Sequence, residues 1–395
     1  MIPWVKSGEL NDREITDTEE YITEEGLSYS SAKVFPSGTL LIALYGATVG
    51  KTGILRIAAS TNQAVCAVFP KQDHFLSEFM MYCLMHRRED LLRERYGGAQ
   101  SNISQTLLRN FQIPLPPLPE QHRIAHVLNT IQREITAQDD LIAAAREVKR
   151  SLMQRLFTYG PGAKPATTKD TEIGQIPEHW EVVKLGQALQ STQYGLSVRA
   201  DSTGQYPMLR MNNLVDGRVE TSDLKYVDLP QKDFAKFRVQ VRDVLFNRTN
   251  SYELVGKTAI FDIDGNFTFA SYLIRLITDL SRLLPEFLNY YLNWDSAQRR
   301  LKMLATRGVS QSNISATKLK QFVIGLPPPE VQEEIACILA TADGKIAAEE
   351  QRKAALQALF KSMLHQLMTG QTRLTHSHED IKTQRRKDTE TQSVL

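Results

Sequence analysis

The sequence predicts an α+β fold in which two pseudo-symmetric mixed α/β domains are joined by two long antiparallel helices paired as a coiled coil. The first observation behind this prediction is a duplication: residues 100–128 return as residues 311–339, with 16 of 29 positions identical and no gap. The second is the layout that both copies share, and the third is a heptad stretch that ends each copy. A period of 211 residues is far too long for a solenoid, so each copy is a whole domain with its helix.

The layout divides the chain into six segments. They are a first domain over 1–116, a spacer helix over 117–159, a linker over 160–172, a second domain over 173–327, a second spacer helix over 328–369 and a tail over 370–395. The linker prediction depends on the Gly, Pro and Thr composition that begins at Gly160. The tail is polar, mixed in charge and without periodicity, which predicts disorder.

Short apolar runs bounded by Gly and Pro predict buried strands in both copies. The runs are 39–44 and 64–69 in the first copy, and 244–246 and 272–277 in the second. Helices are predicted near 75–95 and 285–305. A Leu-Pro-Pro turn then resets the chain direction, because Pro fixes φ and keeps its predecessor out of the helical region.

After each turn, apolar residues recur in alternating steps of four and three, which predicts a helix with a heptad seam. The apolar seam positions are Ile124, Leu128, Ile131, Ile135 and Ile142 on the first helix, and Ile335, Leu339, Ile346, Leu356 and Phe360 on the second. Each helix is roughly 40 residues, or about 60 Å, long. A polar helix must bury such a stripe. The other long helix is the expected partner, and packing against the helix's own domain is the alternative.

The two copies do not begin alike. Pro3 and Val5 align with Pro207 and Leu209 at an offset of 204, and residues 173–206 have no counterpart in the first copy. We therefore expect the first domain to be incomplete at its N-terminal side. Either the true start codon lies upstream or the gene is genuinely shortened.

Composition leaves the partner class open. The chain is 42% hydrophobic and 23% charged, and its net charge of +2 neither requires nor excludes nucleic acid. Three cysteines without CxxC spacing are expected to be buried thiols in a reducing compartment. No stretch approaches the length of a membrane span. The N-terminus lacks an apolar signal region, so a cytoplasmic protein is expected.

One motif resembles a phosphate-binding loop but has the wrong spacing. Only three residues separate Gly46 from Gly50, whereas the loop needs four. The Val-Gly-Lys-Thr sequence that both copies share is better interpreted as a tight turn that presents a lysine and a hydroxyl outward, and both groups suit phosphate contacts. These residues are Lys51 and Thr52, and Lys257 and Thr258. The alternative is a solvated hairpin.

A Gln-Ser-Asn run stands in both copies, as Gln100, Ser101 and Asn102 and again as Gln311, Ser312 and Asn313. Such a run can cap the following helix, or its amides can contact base edges, and both interpretations stay open. Basic residues precede the run each time, namely Arg88 in the first copy and Arg299 and Arg307 in the second. They indicate either a phosphate-facing surface or an ordinary solvated helix face.

No catalytic or metal-binding pattern is apparent. His122 and His126 are four residues apart, but Glu333 and Cys337 occupy the matching positions of the second copy. The eight histidines show no HExxH spacing, and no Asn/Asp-Pro-Pro-Tyr signature of a methyltransferase is present. We therefore expect a non-catalytic chain with no metal and no cofactor.

Two segments carry a resemblance to a known family. Residues 173–186, with the run Ile-Pro-Glu-His-Trp-Glu-Val-Val-Lys-Leu, resemble the domain-opening segment of type I restriction–modification specificity (S) subunits. Residues 115–121, Leu-Pro-Pro-Leu-Pro-Glu-Gln, are similar to that family's other hallmark, which precedes its long helix. The resemblance extends to about residue 370. The chain departs from the family at Val331, where a Glu is expected, and at the opening of the first copy.

The resemblance implies two target-recognition domains, each reading one half of a bipartite site in double-stranded DNA. It also implies that the two long helices act as a spacer and dock methyltransferase (M) subunits, which restriction (R) subunits join. Two other functions remain open from the residues alone. One is a coiled-coil adaptor that binds proteins without reading DNA; the other is an ATPase built on the segment that contains Lys51, which absent nucleotide binding would exclude.

Overall fold

The computed structural model describes residues 1–69, 74–93, 102–308 and 311–374. The chain forms two compact units, one made of residues 1–139 and 351–395 and the other of residues 140–350. Both unit boundaries fall inside the long helices. Each unit therefore contains one mixed α/β region and a part of both helices.

Unit 1 opens with short strands that lead into helices. The strands are β1 (Ile2–Val5), β2 (Arg13–Ile15), β3 (Glu20–Ile22), β4 (Val34–Phe35), β5 (Leu40–Ala43), β6 (Thr52–Leu55), β7 (Ala59–Thr61) and β8 (Val65–Val68). The helices are α1 (Glu24–Ser28), α2 (Ser77–His86), α3 (Arg88–Arg93), α4 (Gln105–Asn110) and the long α5 (Leu118–Tyr159).

Two four-stranded sheets form unit 1, in the orders β3-β1-β7-β4 and β2-β6-β5-β8. Strand β5 is buried along its whole length and lies between β6 and β8. Full burial requires apolar side chains on both faces, which explains why this strand is a continuous apolar run rather than an alternating one.

Unit 2 repeats this plan with additions. Its strands are β9 (Thr168–Thr171), β10 (Gly174–Pro177), β11 (Glu181–Lys184), β12 (Leu189–Tyr194), β13 (Tyr206–Leu209), β14 (Leu214–Val215), β15 (Gly217–Val219), β16 (Lys225–Val227), β17 (Val244–Asn247), β18 (Thr249–Asn250), β19 (Thr258–Ile260), β20 (Thr268–Phe269), β21 (Leu273–Thr278), β22 (Thr306–Arg307), β23 (Ser312–Asn313) and β24 (Val323–Leu326). Its helices are α6 (Gln231–Phe237), α7 (Pro285–Asn293), α8 (Asp295–Leu304), α9 (Ala316–Lys320) and the long α10 (Pro329–Met368).

The main sheet of unit 2 has the order β12-β21-β17-β19-β15-β14. A second sheet, β16-β13-β20, corresponds to part of the first sheet of unit 1: β13 pairs in parallel with β20 as β1 pairs with β7. The strands predicted in both copies are confirmed as β5, β8, β17 and β21. Strands β5 and β17 are buried throughout and β21 is mostly buried, whereas β8 is buried only at Val65. The predicted helical regions are also confirmed, each as two consecutive helices.

The predicted linker over 160–172 is shorter in the structure. Strand β9 pairs antiparallel with β10, and the ammonium group of Lys169 donates to the carbonyl of Trp180 at 2.7 Å. The sequence of β9 is Thr-Lys-Asp-Thr, which lacks the apolar alternation by which a strand is recognised. Its pairing comes from the hairpin with β10 rather than from burial.

The long helices pack against each other within each unit, and each unit places the early part of one helix beside the late part of the other. In unit 1, Ile124 and Leu128 of α5 share a core cluster with Leu367 and Met368 of α10 and with residues of α2. In unit 2, the cluster joins α5 to α10 and to α7. The two alternatives for the seam are therefore both correct, because each helix contacts the other helix and its neighbouring domain.

Burial and ion pairs follow the same antiparallel arrangement. Of the other predicted seam residues, Ile135, Ile142, Ile335, Leu339 and Ile346 are buried, whereas Ile131, Leu356 and Phe360 are half-buried. In unit 1, Lys353 pairs with Asp139 at 2.5 Å. In unit 2, Lys149 pairs with Asp343 at 2.6 Å and Arg146 with Glu350 at 2.7 Å. Both predicted helices thus exist as a paired, antiparallel element.

The first residues after α10 return to the start of α5 within unit 1. The guanidinium of Arg373 donates to both carboxylate oxygens of buried Glu120 at 2.7 and 2.8 Å, and Arg123 donates to the carbonyl of Leu374 at 2.7 Å. The beginning of the predicted disordered tail, 370–374, is therefore held in place. The rest of that tail, 375–395, lies outside the described residues.

One expectation about the cysteines is wrong. Cys83 is buried and Cys66 half-buried, but Cys337 is exposed because it lies on the solvent face of α10. Burial raises the pKa of the Cys83 thiol to about 12, so this thiol is protonated at neutral pH.

Within the described ranges, no helix combines the length and apolarity needed to span a membrane.

Candidate nucleic-acid interface

The two threonines of the shared turn face inward, which contradicts the prediction that they present hydroxyls to a ligand. Thr52 and Thr258 are buried. The Thr52 hydroxyl donates to a carboxylate oxygen of Asp12 at 3.0 Å, and the Thr258 hydroxyl accepts from the amide of Asn293 at 2.8 Å. Each threonine is the first residue of a buried strand, so its side chain points into the unit and its hydrogen bond stabilises the turn.

Lys51 and Lys257, the lysines of the Val-Gly-Lys-Thr turn in the two copies, are half-buried. In unit 2, Lys257 lines a cleft of 680 Å³ together with residues of α5, α8 and α10. The lining of the cleft carries both signs of charge, since Arg146 pairs with Asp216 at 3.6 Å and Arg150 pairs with Asp295 at 3.5 Å. Lys51 and Lys257 remain predicted DNA contacts.

A buried ionic cluster forms part of this cleft. Lys149 and Asp343 are both mostly buried, and the Tyr290 phenol donates to Asp343 at 2.8 Å. Burial and the charge of Asp343 together hold the pKa of Tyr290 above its ordinary value. The Lys149 ammonium also lies 5.3 Å from the centre of the Tyr290 ring. The cluster fixes α7 to both long helices within unit 2.

The aligned arginines Arg88 and Arg299 have different surroundings. In unit 1, Arg88 forms an ion pair with Asp12 and donates to the carbonyl of Gly50 at 2.9 Å, so it supports the Val-Gly-Lys-Thr turn from outside. In unit 2, Arg299 is exposed. The phosphate contact remains a prediction for Arg299. The guanidinium of Arg88 already donates hydrogen bonds to Asp12 and to the carbonyl of Gly50.

The second Gln-Ser-Asn run forms a small sheet. Strand β23, which consists of Ser312 and Asn313, lies between β18 and β22. The Asn313 amide donates to the Thr249 hydroxyl at 2.7 Å and accepts from Arg248 at 3.1 Å, while Ser312 is buried. Only Gln311 is exposed. The pairing holds the run in place and turns Gln311 outward.

The capping function belongs to the serine that stands two positions after each run. The Ser104 hydroxyl accepts from the amide of Leu107 at 3.0 Å, and the Ser315 hydroxyl accepts from the amide of Lys318 at 3.2 Å. These serines are the N-caps of α4 and α9. In the first run, Asn102 is exposed, and Gln100 and Ser101 lie outside the described residues.

Aromatic residues that the sequence did not single out lie beside this small sheet. The Arg307 guanidinium stacks 4.1 Å from the centre of the Tyr252 ring, and Arg248 lies 4.9 Å from that of Tyr194. The Tyr194 phenol also accepts from the amide of Ala316 at 2.8 Å. The sequence gives only a weak signal for these pairs of arginine and tyrosine, because the two members of each pair are about fifty positions apart and meet only in the folded protein.

We define the rim of unit 2 as Tyr194, Arg248, Tyr252, Arg307 and Gln311. It combines cations, aromatic rings and an outward amide on one small sheet and its flanks. Cations suit phosphates, and amides and guanidinium groups suit base edges. Across the described parts of the chain, no group of three or more His, Cys, Asp or Glu residues is arranged to hold a metal ion.

Known proteins match this architecture. The model of the type I restriction modification DNA specificity domain matches residues 1–143 and 177–358. The protein assigned as the MjaX type I restriction enzyme specificity subunit of Methanocaldococcus jannaschii is 36% identical over 210 residues, 52% of this chain and 49% of that protein. The chain thus matches about half the length of this relative. The EcoKI specificity subunit of Escherichia coli is 24% identical over 350 residues, 85% of this chain and 74% of that protein.

Solved structures share the fold. A chain from a study of complex assembly and conformational transition of the type I restriction–modification system aligns with a TM-score of 0.56 and 19% identity, over 93% of this chain and 91% of that one. The S subunit from M. genitalium aligns with a TM-score of 0.55 and 15% identity, over 93% of this chain and 88% of that one.

The fold and the repeated domain define a class, the DNA-specificity components of restriction systems. This chain belongs to the family of type I restriction–modification DNA specificity domains, since the family model matches most of its length.

Proposed function

We propose that the chain reads a bipartite double-stranded DNA site, one half through each unit, and contributes recognition rather than catalysis to a type I restriction–modification complex. The observation that carries the proposal is the rim of unit 2. Arg307 and Gln311 are exposed there, and Tyr252 holds the guanidinium of Arg307 in a stacked position. A held guanidinium loses less conformational freedom when it contacts a guanine edge or a phosphate.

Different chemistry at equivalent positions supports two different half-sites. In unit 1 the amide of Ile103 donates to the carbonyl of Leu44 at 2.7 Å, and in unit 2 the amide of Ile314 donates to that of Arg248 at 2.9 Å. Leu44 and Arg248 therefore occupy the same place in the repeat. An apolar residue in one unit and a cation in the other give the two equivalent places different chemistry, which favours independent reading by each unit.

The DNA experiment compares variants of the full chain. Duplexes enriched from a random library by the wild-type protein are compared with scrambled duplexes at one fixed salt concentration. We expect Arg307→Ala to weaken binding to the enriched site by about 1–3 kcal/mol and to relax one half of it. Arg242→Ala is the matched control, because this exposed arginine pairs with Glu286 away from the rim.

Two results would contradict the proposal. Equal affinity for enriched and scrambled duplexes would favour the protein–protein adaptor. Equal effects of Arg307→Ala and Arg242→Ala would show that general charge, not the rim, provides the binding.

We also propose that the long helices dock M subunits, which R subunits then join. Two exposed apolar residues support this: Val148 on α5 is 58% exposed and Leu359 on α10 is 47% exposed. They stand 211 positions apart, at the same place in the repeat. A repeated apolar position suits a partner that binds in two copies.

The docking experiment uses Val148→Glu and Leu359→Glu with purified M subunit. We expect each variant to bind one M subunit fewer than the wild type, measured by the mass of the complex. Thr341→Glu, at an exposed polar position of α10, is the control. Full stoichiometry in both variants would contradict this docking site.

A further inference from the structure

The side chain of Arg248 makes its contacts inside unit 2. Its two terminal nitrogens donate to the carbonyl of Ser271 at 3.3 Å and to the side-chain oxygen of Asn313 at 3.1 Å, and its Nε atom is buried. The Cζ atom lies 4.9 Å from the centre of the Tyr194 ring, so one face of the guanidinium is covered as well. Arg248 thus connects three segments of unit 2 that are distant in sequence.

The small sheet of β18, β22 and β23 depends on such contacts. Each of these strands is two residues long, and so short a sheet gains little stability from its own ladder or from apolar burial. Asn313 of β23 accepts from Arg248 and donates to the Thr249 hydroxyl of β18 at 2.7 Å. Strand β23 also pairs with β22 in the register Arg307↔Ser312. The position of Asn313 therefore fixes, through β23, the strand that carries Arg307.

Unit 1 has the same backbone bond without this side chain. Leu44 occupies the place of Arg248 in the repeat, and the carbonyls of both accept the equivalent backbone hydrogen bond. The Leu44 side chain packs against the core cluster of unit 1 and offers no donor. The matching asparagine of unit 1, Asn102, is exposed, whereas Asn313 is half-buried. The shared backbone bond therefore does not by itself draw the asparagine into the fold, and the guanidinium of Arg248 is the group that differs.

We propose that Arg248 is a positioning residue for DNA reading by unit 2. It acts through Asn313 to hold the small sheet, and the small sheet sets the direction in which Arg307 and Gln311 leave it. This inference rests on the proposed DNA function and adds how one half-site becomes selective. A reading group that is held in one orientation cannot adjust to a wrong base pair, so loss of Arg248 relaxes discrimination between sequences rather than general attraction to phosphates.

The first experiment measures DNA binding by the full chain with Arg248→Leu, which introduces the residue that unit 1 has at this place. Affinity for the enriched duplex and for a duplex scrambled in one half is measured over a range of salt concentrations. We expect the preference for the enriched half-site to fall at least about tenfold, while the slope of log K against log salt stays that of the wild type. A direct phosphate contact would instead lower the slope by about one and weaken both duplexes equally. Arg242→Leu, at the arginine that pairs with Glu286, is the matched control and should keep the preference.

Two further variants test the route and the geometry. If Arg248 acts through Asn313, the double variant of Arg248→Leu and Asn313→Ala should lose no more preference than either single variant, because the two changes remove one shared contact. Arg248→Lys keeps the charge but not the planar group that contacts two acceptors at once. We therefore expect this variant to lose preference as Arg248→Leu does. Additive losses in the double variant, or full preference in Arg248→Lys, would overturn the proposal.

Amide hydrogen exchange of the free chain tests the same role without DNA. We expect Arg248→Leu to speed exchange in β22 and β23 and to leave the buried strands β17 and β21 as slow as in the wild type. Unchanged exchange in β22 and β23 would overturn the proposal, and so would equal acceleration in β17 and β21, which would show a general loss of the fold. If the wild type does not prefer the enriched duplex, the proposed DNA function fails, and the exchange comparison still decides whether Arg248 orders the small sheet.

Discussion

Neighbouring residues of one turn have separate functions. Thr258 is buried and hydrogen-bonded to two asparagines of α7, whereas Lys257 lines the cleft. Sequence alone suggested that both side chains face outward. The sequence does not show the facing asparagines, because Asn289 and Asn293 lie more than thirty positions away.

This separation predicts opposite results for two adjacent substitutions. We expect Thr258→Val to lower the free energy of unfolding by about 0.5–1.5 kcal/mol, because it removes the hydrogen bonds of the Thr258 hydroxyl with Asn289 and Asn293. Lys257→Ala should leave stability within about 0.5 kcal/mol and weaken DNA binding. Chemical denaturation and DNA titration of both variants measure this. Stability losses of equal size would show that the lysine is also structural.

A histidine pair predicts pH dependence in unit 1. The rings of His86 and His365 lie 5.4 Å apart, and burial, followed by the charge of His365, holds the pKa of His86 below its ordinary value. Folded His86 therefore binds a proton less readily than unfolded His86. It follows that stability is retained above about pH 6.5 and falls as the pH drops below that value.

The measurement compares unfolding midpoints between about pH 8 and pH 5.5. We expect His86→Gln to flatten the acidic fall, whereas His126→Gln, at an exposed position of α5, should keep it. An unchanged acidic fall in His86→Gln would mean that another group is responsible.

At the scale of elements, the periodicity of the sequence predicts the elements that bury an apolar face. It does not predict short polar strands that are held by backbone pairing alone. The heptad seam predicted both long helices, because a narrow apolar stripe has to be covered. Strand β9 lies within the predicted linker, because its polar residues pair with β10 through the backbone alone. The small sheet of β18, β22 and β23 was missed for the same reason.

The seam gives an element-scale prediction with a control on the same helix. Leu339 is fully buried in the cluster that joins α10 to α5 in unit 2, whereas Leu359 is exposed. We expect Leu339→Ala to lower the free energy of unfolding by about 2–5 kcal/mol. Leu359→Ala should change it by no more than about 0.5 kcal/mol. Similar losses in both variants, measured by denaturant titration, would contradict the assigned seam.

At the scale of the whole molecule, the duplication was the strongest signal in the sequence. An ungapped repeat predicted the pseudo-symmetric pair of mixed α/β regions, which the structure has. Which side chains contact DNA was much harder to predict. Arg88 and Arg299 align in sequence, yet one is held by Asp12 and the other is exposed. Repetition preserves the backbone plan but not the side-chain partners, because Asp216, at the position of Asp12 in the repeat, pairs with Arg146 at 3.6 Å.

The proposed independence of the two half-sites gives a prediction for the whole chain. Residues 173–327 are replaced with the matching region of another family member, and both long helices are kept. We expect one half of the preferred DNA site to change and the other half to persist, because unit 1 keeps all of its described strands. The number of base pairs between the halves should stay the same, since the spacer helices are unaltered.

The control for this exchange is the reciprocal replacement of residues 1–116, which should change the other half of the site. Sites selected from a random duplex library by the wild type and both exchanged proteins provide the comparison. If both halves change in either exchange, recognition is shared between the units. If neither half changes, then the regions of contact with DNA lie outside the exchanged segments, and the rim around Arg307 is not the reading surface.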